Sequence, residues 1–163
     1  MIYELLNALD GKFSFACAQA HCDVPCGIYD PSTAQIAALT VVRMMDLMAA
    51  LESGEDKGTM DFHNSMERYI TVKEEHAEKA KHEIRVIWGD YFKVDKHPDV
   101  SELVHKIMQL GSKVRQTADR EAGLAFVAAI NEFAEAFWAT KDIKTKKAKA
   151  PYAPALEMVY PDL

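Results

Sequence analysis

The longest helical pattern in the chain constrains its fold most. From Met60 to Tyr91 the positions Met66, Tyr69, Ile70, Lys73, Ala77, Ala80, Ile84, Ile87, Trp88 and Tyr91 drift slowly round one face, the period by which helices pack side by side in a bundle. A helix with such a stripe needs partners, and three further segments supply them. Ser32 to Glu52 carries Ile36, Leu39, Val42, Met45 and Leu51 mostly at three- and four-residue steps, widened by Val41, Met44, Leu47 and Met48. Its methionines are read as packing, the usual role of Met in an apolar stripe. Asp30 and Pro31 ahead of it are suited to the N-cap and first helical position, and Gly54 and Gly58 bracket the polar loop that follows it.

A turn over Lys93 to Pro98 leads to a third segment, Asp99 to Val114, built on Val100, Leu103, Val104, Ile107 and Leu110. The fourth, Thr117 to Thr140, turns Ala122, Ala125, Phe126, Ala129, Ile130, Phe133 and Phe137 inward. Small alanine faces opposite aromatic ones favour close helix packing. No segment shows a strand signal. The predicted class is therefore all-α: a four-helix bundle over residues 32–142, preceded by residues 1–20 and 21–31 and followed by an extension, 143–163. With 163 residues, 49% apolar and 27% charged, the chain is expected to be one soluble domain with a proper core and no membrane role. The extension opens on lysines and turns proline-rich, which suggests a mobile tail or a strap onto a neighbouring subunit through Tyr152, Leu156, Met158, Val159 and Tyr160. With no basic surface elsewhere, its lysines do not argue for nucleic acid.

Chemistry concentrates in the eleven residues HCDVPCGIYDP, His21 to Pro31. Were the chain cut between Ala20 and His21, four donors would lie close together: the new α-amine of His21, the Cys22 amide nitrogen, and the Cys22 and Cys26 thiolates. Pro25 fixes one φ and Gly27 permits a conformation barred to other residues, so the second sulfur can return to the first. Nitrogen and thiolate donors in a square suit Ni(II) first and Cu(II) second, whereas zinc prefers a tetrahedron. The His21 imidazole remains to approach from above the plane and favour the oxidised ion, which suggests a one-electron redox site. Asp23 can order the turn or pair with a cation. His63, His76 and His82 lack close i, i+4 spacing, and the Glu residues between them look like a solvated face.

The only cysteines, at 17, 22 and 26, lie near the start and cannot staple the body of the fold. A reducing, cytoplasmic setting is expected. Residues 1–20 end in Ala18-Gln19-Ala20, like a signal-peptidase site, yet they carry Glu4 and Asp10 against Lys12 and lack a continuous apolar run. A removable propeptide fits better than a secretory leader, and an amphipathic helix on Ile2, Leu5, Leu6 and Leu9 is compatible with it. Cleavage before His21 would release the amine and switch the site on.

The stretch HCDVPCGIYDP resembles the hook of the nickel superoxide dismutases, H-C-D-x-P-C-G-x-Y-D-P, at every fixed position. HAEKAKHEIRVIWGDYFK, His76 to Lys93, and F-W-x-T-K at Phe137 to Lys141 extend the similarity over most of residues 21–141. The resemblance implies dismutation of superoxide to dioxygen and hydrogen peroxide on one nickel per subunit cycling between Ni(III) and Ni(II), with His21, Cys22 and Cys26 as ligands. It also implies Tyr29 and Tyr91 lining the open face, Lys93 near the site, a processing peptidase acting before His21, and a homohexamer. One departure stands out. The family holds its histidine ligand with a Glu in the first helix and an Arg in the second; here those positions are Ala37 and His76. His76, backed by Glu74 or Glu75, is the candidate to orient His21 instead.

The formal net charge is −6, and loss of Glu4, Asp10 and Lys12 with the leader leaves −5. The whole chain thus repels an anion, and a local positive field must compensate. Two other classes remain open: a nickel- or copper-binding protein without turnover, favoured if the leader stays, and a helical module whose cysteines form a redox-sensing disulfide.

Overall fold

The computed structural model describes residues 27–93 and 95–163. Four helices lie within them: α1 (Ser32–Glu52), α2 (Met60–Val86), α3 (Pro98–Gln116) and α4 (Arg120–Ala139). Each start has a local cause. The Asp30 carboxylate accepts the Ser32 amide at 2.7 Å with Pro31 already in helical geometry, Thr59 Oγ1 accepts from the Phe62 amide, and Asp119 accepts from the Ala122 amide; α3 opens on Pro98.

The predicted bundle is observed, with small shifts at its ends: α3 begins one residue early, and α4 begins at Arg120. α2 changes character where the period predicts a continuous helix. Its last stretch, Ile87–Tyr91, is a π-helical turn closed by the Phe92 amide on the Ile87 carbonyl at 3.3 Å.

The core is carried by Phe126, Phe133, Phe137, Ile84, Ile107 and Ile130, all fully buried. α1 and α4 are apolar and long enough to cross a bilayer by length and composition; here their buried residues line the bundle interior. They cross closely at Gly123, where a Cβ would meet Met45 Sδ and Val42 Cγ2 at 3.1 Å.

Three residues predicted to face inward do not. Ile36 is 49% exposed, Ile70 36%, and Ala125 is also exposed. In α1 the buried stripe runs instead through Ala34, Ala38, Val41, Val42 and Met45. Ile36 lies about 200° round the helix from both Ala34 and Ala38, and the alanines take the inner side because they let α2 approach.

The tail also differs from the mobile extension or inter-subunit strap expected of it. Residues Thr145–Lys149 (β1) and Glu157–Pro161 (β2) pair as an antiparallel hairpin, with Lys147 opposite Val159. Its partner is the chain's own bundle. Gln35, 2% exposed on α1, donates from Nε2 to the Val159 carbonyl at 3.1 Å and accepts the Val159 amide on Oε1 at 2.8 Å. Asn131 on α4 donates to the Glu157 carbonyl at 2.8 Å, and Met158 and Val159 are buried beneath. The sequence hides β1 because Lys146 to Lys149 are exposed on both faces of the strand, so no inside–outside alternation arises.

Two polar devices tie α2 to α3. Lys73, predicted on the inner face, is 3% exposed, and its ammonium donates to the carbonyls of Val114, Arg115 and Thr117 at 2.7, 2.7 and 3.0 Å. It supplies the donors that the C-terminus of α3 lacks. Burial pulls its pKa below the usual lysine value, with Glu74 opposing and Arg115 adding to the effect. Glu78 meets Arg115 at 3.0 Å, and it also bonds Arg85. Burial alone would raise the Glu78 carboxyl, but the Arg85 hydrogen bond and the charges of Lys81, Arg85 and Arg115 hold it below its ordinary value.

Lys73→Met should lower unfolding free energy in urea by about 2–3 kcal/mol, because buried carbonyls lose their donor; an unchanged midpoint would contradict this role. Glu78, with its pKa depressed, contributes stability that is fully present above the ordinary 4.5 and lost as pH falls through the lower folded value. Glu78→Gln should therefore flatten the acid limb of the stability profile below that pH. The side chain is 41% exposed, so the effect stays under about 1 kcal/mol.

Candidate metal centre

His21, Cys22, Asp23 and Cys26 lie outside the described residues, which begin at Gly27, one position after Cys26. What the structure gives is the ground on which the hook stands. Gly27 has φ +70°, a left-handed conformation that costs glycine little, so the chain can turn sharply next to Cys26. Pro31 is buried, and its carbonyl accepts the Gln35 amide at 3.1 Å. The root of the hook is thereby fixed to the first turn of α1.

Tyr29 and Tyr91, predicted to share one face of the site, are together: their ring centroids are 5.7 Å apart at 52°. The π-helical turn accounts for the placement of Tyr91. Such a turn carries an extra residue relative to an α-turn and changes the direction in which the following side chains leave the helix. Tyr91 sits among aromatic rings, with centroids 5.1 Å from Phe137 and 5.4 Å from Phe92. Its hydroxyl is 2.7 Å from Thr140 Oγ1. The Lys141 ammonium lies 4.8 Å from the Tyr91 ring centroid and 5.2 Å from that of Phe137, within range of a cation–π attraction. Lys93, two residues beyond Tyr91, is exposed.

His76 and Ala37 come together, as the family resemblance implied. Both line a cavity of about 200 Å³ with Thr33, Ile36 and Lys79. His76 Nδ1 is 2.8 Å from the Val72 carbonyl one turn back. A carbonyl only accepts, so Nδ1 carries the hydrogen and, in the neutral ring, Nε2 is left as an acceptor. Glu74 and Glu75 do not back it. They line a separate cleft with Glu78, His82 and Arg115, because one or two residues along a helix rotate a side chain well away from His76.

The donor set at residues 21–26, two thiols, an imidazole and backbone nitrogens, fits a borderline-soft ion such as nickel or copper. Among the described residues no group of three or more His, Cys, Asp or Glu side chains could hold a metal in its place. Thr140 and Lys141 went unassigned in the sequence, although both stand in the F-W-x-T-K stretch.

Comparison with known proteins agrees with this geometry. The sequence model of the nickel-containing superoxide dismutases matches residues 16–141. The chain is 36% identical over 125 residues to superoxide dismutase [Ni] of Streptomyces coelicolor, covering 75% of this chain and 88% of that protein. It is 35% identical over 125 residues to superoxide dismutase [Ni] of Streptomyces seoulensis, with the same coverage. Among solved structures, native nickel superoxide dismutase superposes with a TM-score of 0.63 at 34% identity, covering 74% of this chain and 99% of that one. A nickel-containing superoxide dismutase with nickel ligation corresponding to the oxidised state gives 0.64 at 34% identity, with 75% and 99% coverage.

Proposed function

The chain belongs to the family of nickel-containing superoxide dismutases, and from that premise we propose that residues 1–20 are removed and that His21, Cys22 and Cys26 then hold one nickel per subunit. It is an oxidoreductase that converts superoxide to dioxygen and hydrogen peroxide with nickel as cofactor. The bound nickel supplies a Ni(III)/Ni(II) couple lying between the two couples of superoxide. The chain supplies the setting. Cys22 and Cys26 offer electron-rich thiolates, without which water and nitrogen donors leave the potential too high. Cleavage before His21 would free the amine to join Cys22 and Cys26 in holding the metal, so maturation and metal binding would be one event.

The observation that carries this reading is the pairing of Tyr29 with Tyr91 at the root of the hook. We read the two rings as the flanks of the path that a small anion takes, and their hydroxyl oxygens as acceptors that can hold a water. Asp23 orders the hook turn, and Lys93 adds positive charge to a chain that is acidic overall. His76 accepts the second N–H of His21 through Nε2 and fixes that ring. Pro31 to Ala37 spans about 9 Å along α1, well within the reach of the residues between His21 and Gly27. We further read the protein as cytoplasmic, where a reducing medium keeps the hook thiols free, processed by a dedicated peptidase, and assembled as a homohexamer in which neighbours cover the hooks.

Intact mass and metal analysis of protein made with its native maturation machinery should show a chain beginning at His21 with about one nickel per subunit and superoxide-dismutating activity. A full-length, nickel-free and inactive product of that machinery would count against the assignment of the hook. His76→Ala should shift the nickel absorption spectrum and lower turnover about tenfold, the lower range for losing a partner that orients a metal ligand. Unchanged spectra and turnover would remove His76 from the site.

A further inference from the structure

The hydrogen bond between Tyr91 and Thr140 has a direction that the surrounding atoms decide. Thr140 Oγ1 is 2.7 Å from the Phe137 carbonyl, and that oxygen can only accept. The single hydroxyl hydrogen of Thr140 is therefore committed to Phe137. The second contact of Thr140 Oγ1, 2.7 Å to the Tyr91 hydroxyl, is then a bond only if Tyr91 donates. Tyr91 spends its hydrogen inward, and only lone pairs of its oxygen remain for the entrance. A phenol so placed can accept from a water or a protonated product, but it cannot donate to an incoming anion.

The next residue supplies what Tyr91 lacks. The Lys141 ammonium stands 4.8 Å from the Tyr91 ring centroid. Among the described residues it has no carboxylate within ion-pairing distance, whereas Lys146 and Lys147 are paired with Asp162 and Glu135 at 2.9 and 3.0 Å. Lys93 is exposed and makes no ring contact among the described residues. We propose that Thr140 and Lys141 divide the handling of superoxide at this entrance: Thr140 locks Tyr91 as a hydrogen-bond acceptor, and Lys141 is the cation that draws in the anion and donates to it. Thr140 is a positioning residue, acting through Tyr91. The inference rests on the dismutase reading for its substrate, but its hydrogen-bond direction does not.

Two measurements separate these parts. In the full chain without metal, the Raman difference between wild type and Tyr91→Phe isolates the Tyr91 Fermi doublet, whose intensity ratio distinguishes a donating from an accepting phenol. Wild type should show a donor, Thr140→Ser should keep it, and Thr140→Val should lose it. An accepting Tyr91 in wild type overturns the Thr140 half. In the processed, nickel-loaded enzyme, Lys141→Gln should lower kcat/KM for superoxide about three- to tenfold at low ionic strength, with the difference closing as salt screens it. Nickel content should be unchanged, and Lys141→Arg should restore the rate. A Lys141→Gln enzyme with wild-type rate and salt dependence overturns the Lys141 half. A nickel-loaded wild type that does not consume superoxide would instead overturn the dismutase reading, leaving the Raman result standing.

Discussion

Everything in this molecule depends on how closely α1 approaches α2. Ala34, Ala37 and Ala38 on one helix and Ala77 and Ala80 on the other are all buried, and the cavity shared by Thr33, Ala37, His76 and Lys79 shows the two faces opposed. Small side chains at a helix contact bring the backbones together, at the low end of the usual interaxial range. The chemistry follows from that approach. The hook enters α1 at Pro31 and the π-helical turn ends α2 at Tyr91, so the seam fixes where Tyr29 meets Tyr91.

The far side of the same region is held by α4 and the hairpin. The end of α4 and the two residues that follow it present Phe137, Thr140 and Lys141 to Tyr91. Gln35, four residues past Pro31, is gripped by both backbone groups of Val159. A buried primary amide that satisfies an N–H and a C=O at once acts as a one-residue strand, and it leaves neither backbone group unpaired. The hairpin thus braces the first turn of α1, on which the hook stands, although it lies beyond the part of the chain that matches the family.

The four helices were legible because their apolar residues recur at the helical period and their caps are local. Asp30, Thr59, Asp119 and Pro98 each act within three residues of themselves. Which apolar residue of a stripe faces in was less legible. Ile36 loses the inner side to alanines because backbone proximity to α2, a property of the pair of helices, outweighs the size of one side chain. The hairpin was illegible for a related reason: its specification is a glutamine on α1 and an asparagine on α4, more than a hundred and about twenty-five residues away in sequence for Gln35 and Asn131 respectively, and no periodicity records them. Tyr29 and Tyr91 were found through the family resemblance, and their contact is the seam made visible. Thr140 was not, since its role appears only when the Phe137 carbonyl claims its hydrogen.

The cavity at Ala37 and His76 is, in the role proposed for it, a place where a charged pair gives way to a single acceptor. A carboxylate beside a guanidinium, the pair that the family resemblance leads one to expect, sums to no net charge, yet burying both ions carries a desolvation penalty that their attraction only partly offsets. An alanine beside an imidazole involves no buried ion pair and costs far less to bury. What must survive is an acceptor held at a fixed angle. The bond from His76 Nδ1 to the Val72 carbonyl provides it by fixing the tautomer, so that Nε2 offers a lone pair as the carboxylate would. A neutral acceptor polarises its partner less than an anion does, so His21 held this way would be a weaker donor to nickel. In the proposed role of His76, the exchange would keep an acceptor for His21 while polarising that ligand less, and a higher nickel reduction potential would be its signature.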